Sequence, residues 1–195
     1  MGGSKCKSLL IIPLSLAVIS IVFHGCSTTE VIIDASGAGK IQDPEISDGP
    51  KPADIAILER ILRDKFEEWK STPHCMGGYS KKCIDCSGYV KKMYETTFGV
   101  QNLPRTVRGL ATMDRGTLVS MNSLRAGDLV AFRQPRPWYP HHVGIYLSDK
   151  EFMHASKSRG VMISRIDNPH HWAKYFWRAR RVLSDKDVRN IARRQ

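Results

Sequence analysis

The sequence predicts an α+β domain in which N-terminal helices pack on an antiparallel β-sheet. Apolar residues recur at helical spacing between about residues 53 and 98, and short β-rich runs separated by turn residues follow from Asp128 onward. Helices first and strands afterwards are typical of the α+β class. The 195 residues are 42% hydrophobic, which allows one packed domain and excludes a globally disordered chain.

Residues 1–25 have the pattern of an export signal. Two lysines form a basic start, and an almost unbroken apolar run of about 15 residues extends from Leu9 to Phe23. A helix needs roughly 20 apolar residues to span a bilayer, so this run is short for a transmembrane anchor. We therefore expect a signal peptide and an exported chain.

The leader ends at Gly25-Cys26, which resembles the lipobox of bacterial lipoproteins, where the cysteine is acylated and becomes the first residue. Phe23 stands where leucine is usual, and His24 is unusual beside the cleavage point. We expect lipidation of Cys26, with ordinary secretion and an uncleaved anchor as alternatives. Ser27 follows the cysteine instead of an aspartate, which by the habit of these lipoproteins favours an outer-membrane anchor facing the periplasm.

Residues 26–52 are expected to form a flexible tether. They mix Ser, Thr, Gly, Asp and Pro without a clear hydrophobic period. Such a tether would let a lipid-anchored domain reach partners away from the membrane. The folded domain is then expected over residues 53–184, with a basic tail over 185–195.

Three helices are expected at the start of the domain. The first covers about 53–70, where apolar residues alternate with charged ones at helical spacing. The second begins at Asp85, whose carboxylate can cap its N-terminus, and a short third helix covers Thr106 to Arg115. The sequence from Ser184 to Asp187 resembles a further helix start, which we expect to lie in solvent.

Five β-rich runs predict the strands of the sheet. Turn residues separate them, and each is short enough to be one strand. The runs are Asp128 to Arg133, Val143 to Ser148, Glu151 to Ser156, Val161 to Ile166 and Arg178 to Leu183.

The chain is strongly basic, with a formal net charge of +11. Removing residues 1–25, which hold two lysines and no acids, leaves +9. This balance favours an anionic partner, which can be a nucleic acid, an acidic membrane surface or a carboxylate-bearing polymer.

Cys86 is the candidate nucleophile because it lies in the first turn of the second predicted helix. Unpaired backbone N–H groups and the positive end of the helix dipole stabilise a thiolate there, so we expect a lowered thiol pKa. The same N–H groups can hold the oxyanion that forms when a carbonyl is attacked. Gly88 is expected to leave room for the substrate backbone. Taken alone, this motif is also consistent with a small buried cysteine.

Two downstream histidines can supply a base, provided that the strands pair in the right register. A turn centred on Asp149 places Gly144 opposite His154, with His142 one diagonal step away on the same face. A turn centred between Asp149 and Lys150 puts the two rings on opposite faces. The sequence leaves both registers open.

Five motifs follow one another in a characteristic order: Asp85-Cys86-Ser87-Gly88, Leu103-Pro104-Arg105-Thr106, Gly127-Asp128-Leu129-Val130, His142-Val143-Gly144-Ile145-Tyr146 and His154-Ala155-Ser156. In this order they resemble the NlpC family of cell-wall cysteine peptidases, and most closely the NlpC and Spr lipoproteins of Gram-negative bacteria. The resemblance covers residues 62–183.

The resemblance implies a papain-like α+β fold and hydrolysis of amide bonds in peptidoglycan stems or crosslinks. It implies that Cys86 is the nucleophile, His142 the general base and His154 the residue that orients the base. It implies no metal and no other cofactor. The expected partners are peptidoglycan peptides, and the protein is expected to be a monomer. The residues expected to contact substrate are His74, Asp85, Ser87, Gly88 and Arg105.

Three residues depart from the family pattern. His74 stands where these peptidases usually have tyrosine, so an imidazole there could change specificity or pH response. Cys83 replaces a usual glycine, and Cys75 has no expected counterpart. A Cys75–Cys83 disulfide, a Cys83–Cys86 redox lock and a zinc site that includes His74 are the alternatives.

Two rival functions remain. A non-catalytic peptidoglycan-binding lipoprotein on the same fold is the alternative, although Cys86, His142 and His154 are all retained. Binding to nucleic acid is not expected, because export and the absence of a recognised module oppose it. The sequence does not indicate whether the bond cut lies within a stem or across a crosslink.

Overall fold

The computed structural model describes residues 17–21, 29–33, 39–41, 49–134 and 139–195. The chain divides into two compact units, Met1–Asp48 and Gly49–Gln195. In the first unit, β1 (Ala17–Ile21), β2 (Thr29–Ile33) and β3 (Gly39–Ile41) form an antiparallel sheet in the order β1-β2-β3. Cys26 lies outside the described residues, so its lipidation stays a prediction, as does the signal peptide. β2 and β3 lie within residues 26–52, so these two segments are paired strands where we expected a flexible tether. Among the described residues, no helix is long and apolar enough to cross a membrane.

The helices of the second unit are α1 (Pro52–Trp69), α2 (Cys86–Phe98), α3 (Val107–Thr112), α4 (Trp172–Tyr175) and α5 (Asp185–Ala192), with a 3₁₀ turn at Met121–Ser123. Of these, α2, α3 and α5 begin after a residue whose side chain caps the N-terminus. Asp85 caps α2 as predicted, because its side chain accepts a hydrogen bond from the N–H of Gly88. Thr106 caps α3 in the same way through the N–H of Gly109.

The strands of the second unit form an antiparallel sheet in the order β4-β9-β5-β6-β7-β8. They are β4 (Thr117–Val119), β5 (Leu129–Gln134), β6 (Tyr139–Tyr146), β7 (Glu151–Ser156), β8 (Gly160–Arg165) and β9 (Phe176–Arg181). The predicted run for β7 coincides with the strand, and the other four predicted runs are shifted by a few residues. β4 was not predicted, because it is short and its side chains are largely exposed.

Apolar side chains cover both faces of this sheet. On one face, buried residues of α1 and α2 such as Leu58 and Tyr89 pack with Ile145 and Met153. On the other face, a smaller cluster is formed by Val130, Phe132, Tyr146, Phe152, Ile166 and Ala179. Full burial of one large apolar side chain contributes about 1.5–3 kcal/mol, so this packing holds α2 firmly against the sheet.

Helix α5 corrects one expectation. We expected the basic tail over 185–195 to be a solvated helix, but Val188 is 1% exposed and belongs to the main core. Ile191 packs against the same core, and Ala192 is 9% exposed. The residue spacing of Val188, Ile191 and Ala192 places them on one helix face, which packs inward, while Arg193 and Arg194 after the helix are exposed.

Candidate active site

Cys86 is the first residue of α2 and is 8% exposed. Burial and the neighbouring Asp85 carboxylate raise the pKa of its thiol to about 11, although backbone N–H groups of Val143, Ser87 and Cys86 act in the opposite direction. The expected lowering of the thiol pKa by the helix start is therefore wrong for the resting site, since desolvation outweighs the N–H groups. The sulfur needs a base to take its proton.

The predicted base, His142, belongs to the strand segment next to the sulfur. The N–H of Val143 directs a hydrogen bond at the thiol, and Val143 directly follows His142 in β6. Cys86 and His142 also line the same cleft. The start of α2 and the middle of β6 thus bring the predicted nucleophile and the predicted base to one place.

The register of the β6–β7 hairpin settles the sequence alternatives. Ile145 pairs with Met153 and Tyr146 with Phe152, so the turn is centred on Asp149. Asp149 and the residue after it have positive φ angles of 47° and 65°, which form the tight reversal. The register with the turn centred on Asp149 is therefore correct, and His142 and His154 share one face of the sheet.

The two imidazole rings are in direct contact. Nε2 of His142 lies 2.8 Å from Nδ1 of His154, and the ring planes are nearly perpendicular at 86°. Burial lowers the pKa of His142 well below 6.5, and His154 is the foremost of the neighbouring histidines that lower it further. Burial lowers the pKa of His154 to about 3, with a smaller effect of His171. Both rings are neutral at pH 7.

Aromatic side chains keep water away from these histidines. Phe152 stacks on His154 with ring centroids 4.8 Å apart and an interplanar angle of 21°. Trp172, at the start of α4, lies 5.0 Å from the centroid of each histidine ring. This apolar cover is the physical cause of the lowered imidazole pKa values.

Asp85 and Arg105 form the polar support behind Cys86. Arg105 donates to both carboxylate oxygens of Asp85, at 2.6 and 2.9 Å, and to the carbonyl oxygen of Gly78 at 2.8 Å. Burial opposes the charge of Asp85, but hydrogen bonds from Arg105, Gly88 and Ser87 outweigh it and lower the carboxyl pKa. The charged pair fixes the residues on both sides of the nucleophile, and contact of Asp85, Ser87 and Arg105 with substrate stays a prediction.

Gly88 has a different role from the one expected. A Cβ atom there would lie 2.7 Å from the carbonyl oxygen of Gly78 and 2.9 Å from Nη2 of Arg105. The space that we assigned to the substrate backbone is therefore filled by the protein itself. Gly88 is needed so that the loop before α2 and the Arg105 guanidinium can approach the helix.

A disulfide joins Cys75 to Cys83 and leaves Cys86 as a free cysteine. The Cα atoms of the bridge are 5.5 Å apart. Of the three alternatives for these cysteines, the structure therefore contains the Cys75–Cys83 disulfide. Among the described residues, no cluster of His, Cys, Asp or Glu could hold a metal ion. The closed loop directs the N–H of Gly77 to Asp85 at 2.8 Å.

A cleft of about 840 Å³ opens in front of Cys86. Of the predicted substrate-contacting residues, His74, Asp85, Ser87 and Arg105 line it. His154 and Gly88 are not among the lining residues. Sequence reasoning missed further residues of the lining, which include Met76, Arg108, Gln134 and Lys157. None of them belongs to a motif, so no local pattern could have indicated them.

Comparison with known proteins agrees with this geometry. The model of the NlpC/P60 family matches residues 71–181. The chain is 42% identical over 130 residues to the murein DD-endopeptidase MepS/murein LD-carboxypeptidase of Escherichia coli (strain K12). This match covers 67% of the chain and 65% of the relative, so the chain spans about two thirds of the length of that curated protein.

Two solved structures share the fold at low sequence identity. An NlpC/P60 family protein from Bacillus cereus is 21% identical with a TM-score of 0.58, over 90% of this chain and 53% of that one. RipD from Mycobacterium tuberculosis is 18% identical with a TM-score of 0.51, over 65% of this chain and 98% of that one. RipD is described as a non-catalytic NlpC/p60 domain protein with an adaptation to peptidoglycan-binding function. The predicted papain-like α+β fold is confirmed, and the family model covers more than half of the sequence. The chain belongs to the NlpC/P60 family.

Proposed function

We propose that this chain is a cysteine-type endopeptidase that hydrolyses amide bonds of peptidoglycan. The observation that carries the proposal is the free Cys86 thiol at the start of α2, in one cleft with the neutral His142 that contacts His154. A nucleophile, a base and a group that orients the base are the three parts of nucleophilic amide hydrolysis. The 42% identity to a murein endopeptidase supports peptidoglycan as the substrate.

The proposed reaction follows from the protonation states. The thiol proton of Cys86 passes to Nδ1 of His142 as the sulfur attacks the carbonyl carbon, and backbone N–H groups at the start of α2 stabilise the oxyanion. The imidazolium then gives the proton to the leaving amine as the C–N bond breaks, which leaves a thioester. His142 next takes a proton from water, whose oxygen attacks the thioester. As the C–S bond breaks, the imidazolium returns this proton to the sulfur, so a carboxylic acid and the free thiol are released.

The bond that we propose is the D-alanyl amide across a crosslink, because the Escherichia coli relative is named a DD-endopeptidase and an LD-carboxypeptidase. A bond within the stem peptide is the second possibility. Purified sacculi are digested with the wild type, with Cys86→Ala and with Thr96→Ala, which changes an exposed residue on the same helix. After the glycan strands are cut with a muramidase, mass spectrometry should show crosslinked dimers converted into monomers by the wild type and Thr96→Ala, and no such conversion by Cys86→Ala.

A non-catalytic wall-binding function is the alternative, since a protein of this fold is described as such. The same digestion separates the two proposals. Sedimentation of the wild-type chain with sacculi without any new muropeptide would support the binding protein and end the enzyme proposal. The retained Cys86, His142 and His154 favour catalysis.

We further propose that Cys26 is acylated and holds a monomeric enzyme at the outer membrane, facing the periplasm. The support is the basic start, the short apolar run and the Gly25-Cys26 pair in the sequence. Cys26→Ser should release a soluble periplasmic protein, whereas the wild type should incorporate labelled palmitate and fractionate with membranes. A wild-type chain that is soluble and begins elsewhere would contradict the anchor.

A further inference from the structure

Ser164 extends the pair of histidines into a row of three polar side chains. Nε2 of His154 lies 2.9 Å from Oγ of Ser164, on the side of the ring opposite to the contact with His142. Ser164 lies in β8, outside the five motifs. The reaction described above does not use it.

The register of the sheet explains how the three side chains meet. Ser164 pairs with Phe152, and His154 pairs with Met162, so Ser164 and His154 lie on the same face one diagonal step apart. His142 stands in the same diagonal relation to His154 on the other side, across β6 and β7. The row therefore crosses three neighbouring strands in a straight line.

The direction of the hydrogen bonds in this row decides whether His142 can act as a base. A neutral imidazole carries one proton, so Nδ1 of His142 is free to accept only when Nε2 carries it. Nε2 of His142 then donates to Nδ1 of His154, and the proton of His154 must lie on its own Nε2. That N–H points at the oxygen of Ser164. The reverse arrangement puts a proton on Nδ1 of His142 and blocks the base.

The imidazolium formed during catalysis permits one arrangement only. His142 then has protons on both nitrogens, so Nδ1 of His154 must accept and Nε2 of His154 must donate. Within the described residues, Oγ of Ser164 is the acceptor that meets this N–H. The hydroxyl also lines an open surface pocket with Asp167 and His170, so its own proton can be donated to solvent.

We propose that Ser164 is a positioning residue that holds the proton of His154 on Nε2 and so keeps Nδ1 of His142 free for the Cys86 thiol. The inference rests on the proposed function, because it assigns Ser164 a place in that reaction. A histidine in the orienting position has two tautomers, and an external acceptor is needed to select one of them.

The test uses the full-length chain with ¹⁵N-labelled histidine in three variants. Ser164→Ala removes the acceptor, Ser164→Thr keeps a hydroxyl on a residue that suits a strand, and Ser158→Ala changes an exposed serine in the β7–β8 turn. Wild type should show His154 protonated at Nε2 and His142 protonated at Nε2. Ser164→Ala should show a mixture of His154 tautomers, and Ser164→Thr should restore the wild-type spectrum.

Crosslink hydrolysis gives the second readout. We expect Ser164→Ala to lose about tenfold in kcat, which corresponds to about 1.4 kcal/mol, with KM nearly unchanged and with Ser164→Thr and Ser158→Ala close to wild type. Wild-type tautomers and wild-type kcat in Ser164→Ala would overturn the inference while leaving the proposed function intact. An inactive wild type would end the proposed function, whereas the spectra would still decide the tautomer. If Ser164→Ala does not fold, the wild-type spectrum alone tests the inference. Finding the proton of His154 on Nδ1 in the wild type would overturn it.

Discussion

The Cys86 thiol lies in surroundings that act on its ionisation in opposite directions. Burial and the Asp85 carboxylate favour the neutral thiol, whereas three backbone N–H groups favour the thiolate. Because burial prevails, the isolated thiol would be about one part in ten thousand ionised at pH 7 when its pKa is about 11. A reactive thiolate therefore depends on proton transfer to His142.

His142→Ala should lose both hydrolysis and alkylation of Cys86 by iodoacetamide at pH 7. The expected loss of hydrolysis is about 10²–10⁴-fold, as for removal of a general base. His154→Asn should keep part of both activities, because an amide oxygen can still accept from Nε2 of His142. Mass spectrometry of tryptic peptides measures the alkylation, and Cys75 and Cys83 serve as internal controls because their disulfide protects them.

Rapid alkylation of Cys86 in His142→Ala at neutral pH would contradict this division of roles. A larger loss in His154→Asn than in His142→Ala would reverse it. In His142→Ala the alkylation rate should instead rise with pH toward the pKa of the isolated thiol.

The sequence pattern indicates the candidate reacting residues better than it indicates the residues that support them. Cys86, His142 and His154 stand in motifs whose residue types and order already indicate nucleophilic chemistry. Ser164 is a single serine in a strand, and only its diagonal contact with His154 gives it a role. Gly88 was assigned to the substrate because glycine leaves space beside the nucleophile. Its close approach to the Gly78 carbonyl has no local sequence pattern.

At the scale of elements, the loop between Cys75 and Cys83 connects the disulfide to the site. Gly77 donates its N–H to Asp85, and the Gly78 carbonyl accepts from Arg105. Closing a loop of eight residues limits the unfolded chain and should stabilise the fold by about 2–3 kcal/mol. The bridge thus holds the two backbone groups that contact the charged pair behind Cys86.

Replacing both Cys75 and Cys83 by serine should lower the free energy of unfolding by about 2–3 kcal/mol and reduce hydrolysis. The reduction follows because a loosened loop no longer fixes Asp85 and Arg105. Denaturant unfolding measures the stability, and Lys82→Ala is the control because it changes an exposed residue of the same loop. Equal stability of wild type and double variant, with free thiols found at both Cys75 and Cys83 of the wild type, would contradict the bridge.

The elements themselves were predictable to different degrees. β7 is a short β-rich run that is bounded by turn residues on both sides, so its limits were predicted correctly. β4 has three largely exposed residues and is held by pairing with β9, which no local signal indicates. The inward face of α5 was visible as the spacing of Val188, Ile191 and Ala192, but the surrounding charges concealed it.

At the scale of the whole molecule, two buried neutral histidines make stability depend on pH. His142 and His154 have folded pKa values below 6.5, so the unfolded chain binds more protons than the folded one as pH falls through 6.5. Stability is therefore fully present above about pH 6.5 and declines on acidification, toward pH 3 in the case of His154. Each group contributes up to about 1.4 kcal/mol per pH unit.

The free energy of unfolding should consequently fall between pH 7 and pH 5, and less so in His154→Asn. The variant has one buried imidazole fewer, and this interval lies above the range in which carboxylates titrate. Denaturant unfolding at both pH values measures the change, with the exposed His170→Ala as the control. An identical change in wild type and His154→Asn would show that His154 does not carry this dependence.

The charge of the cleft matches an acidic substrate. Asp85 is the carboxylate among its lining residues and is paired with Arg105, which leaves the exposed Arg108 and Lys157 as further cations. Stem peptides of peptidoglycan carry carboxylates, which these two side chains can attract. The attraction is largely screened at high salt.

A double variant with Arg108→Gln and Lys157→Gln should raise KM for soluble muropeptides several-fold with little change in kcat, because the attraction acts mainly on binding. The effect should shrink near 1 M salt, where the screening length is about 3 Å. The control removes the same charge at the exposed Lys186 and Arg194 of the C-terminal region. An equal rise of KM in the control would assign the effect to the net charge of the chain.

The turn between β6 and β7 sets a limit on how such a chain can evolve. Its centre on Asp149 puts His142 and His154 on one face, and one inserted or deleted residue would move one strand by a single step. The sheet could still pair its backbone after such a change, but the two rings would face opposite sides. Substitutions that keep the length of this turn leave the register intact, whereas a change of its length is closed to any lineage that must keep the two rings in contact.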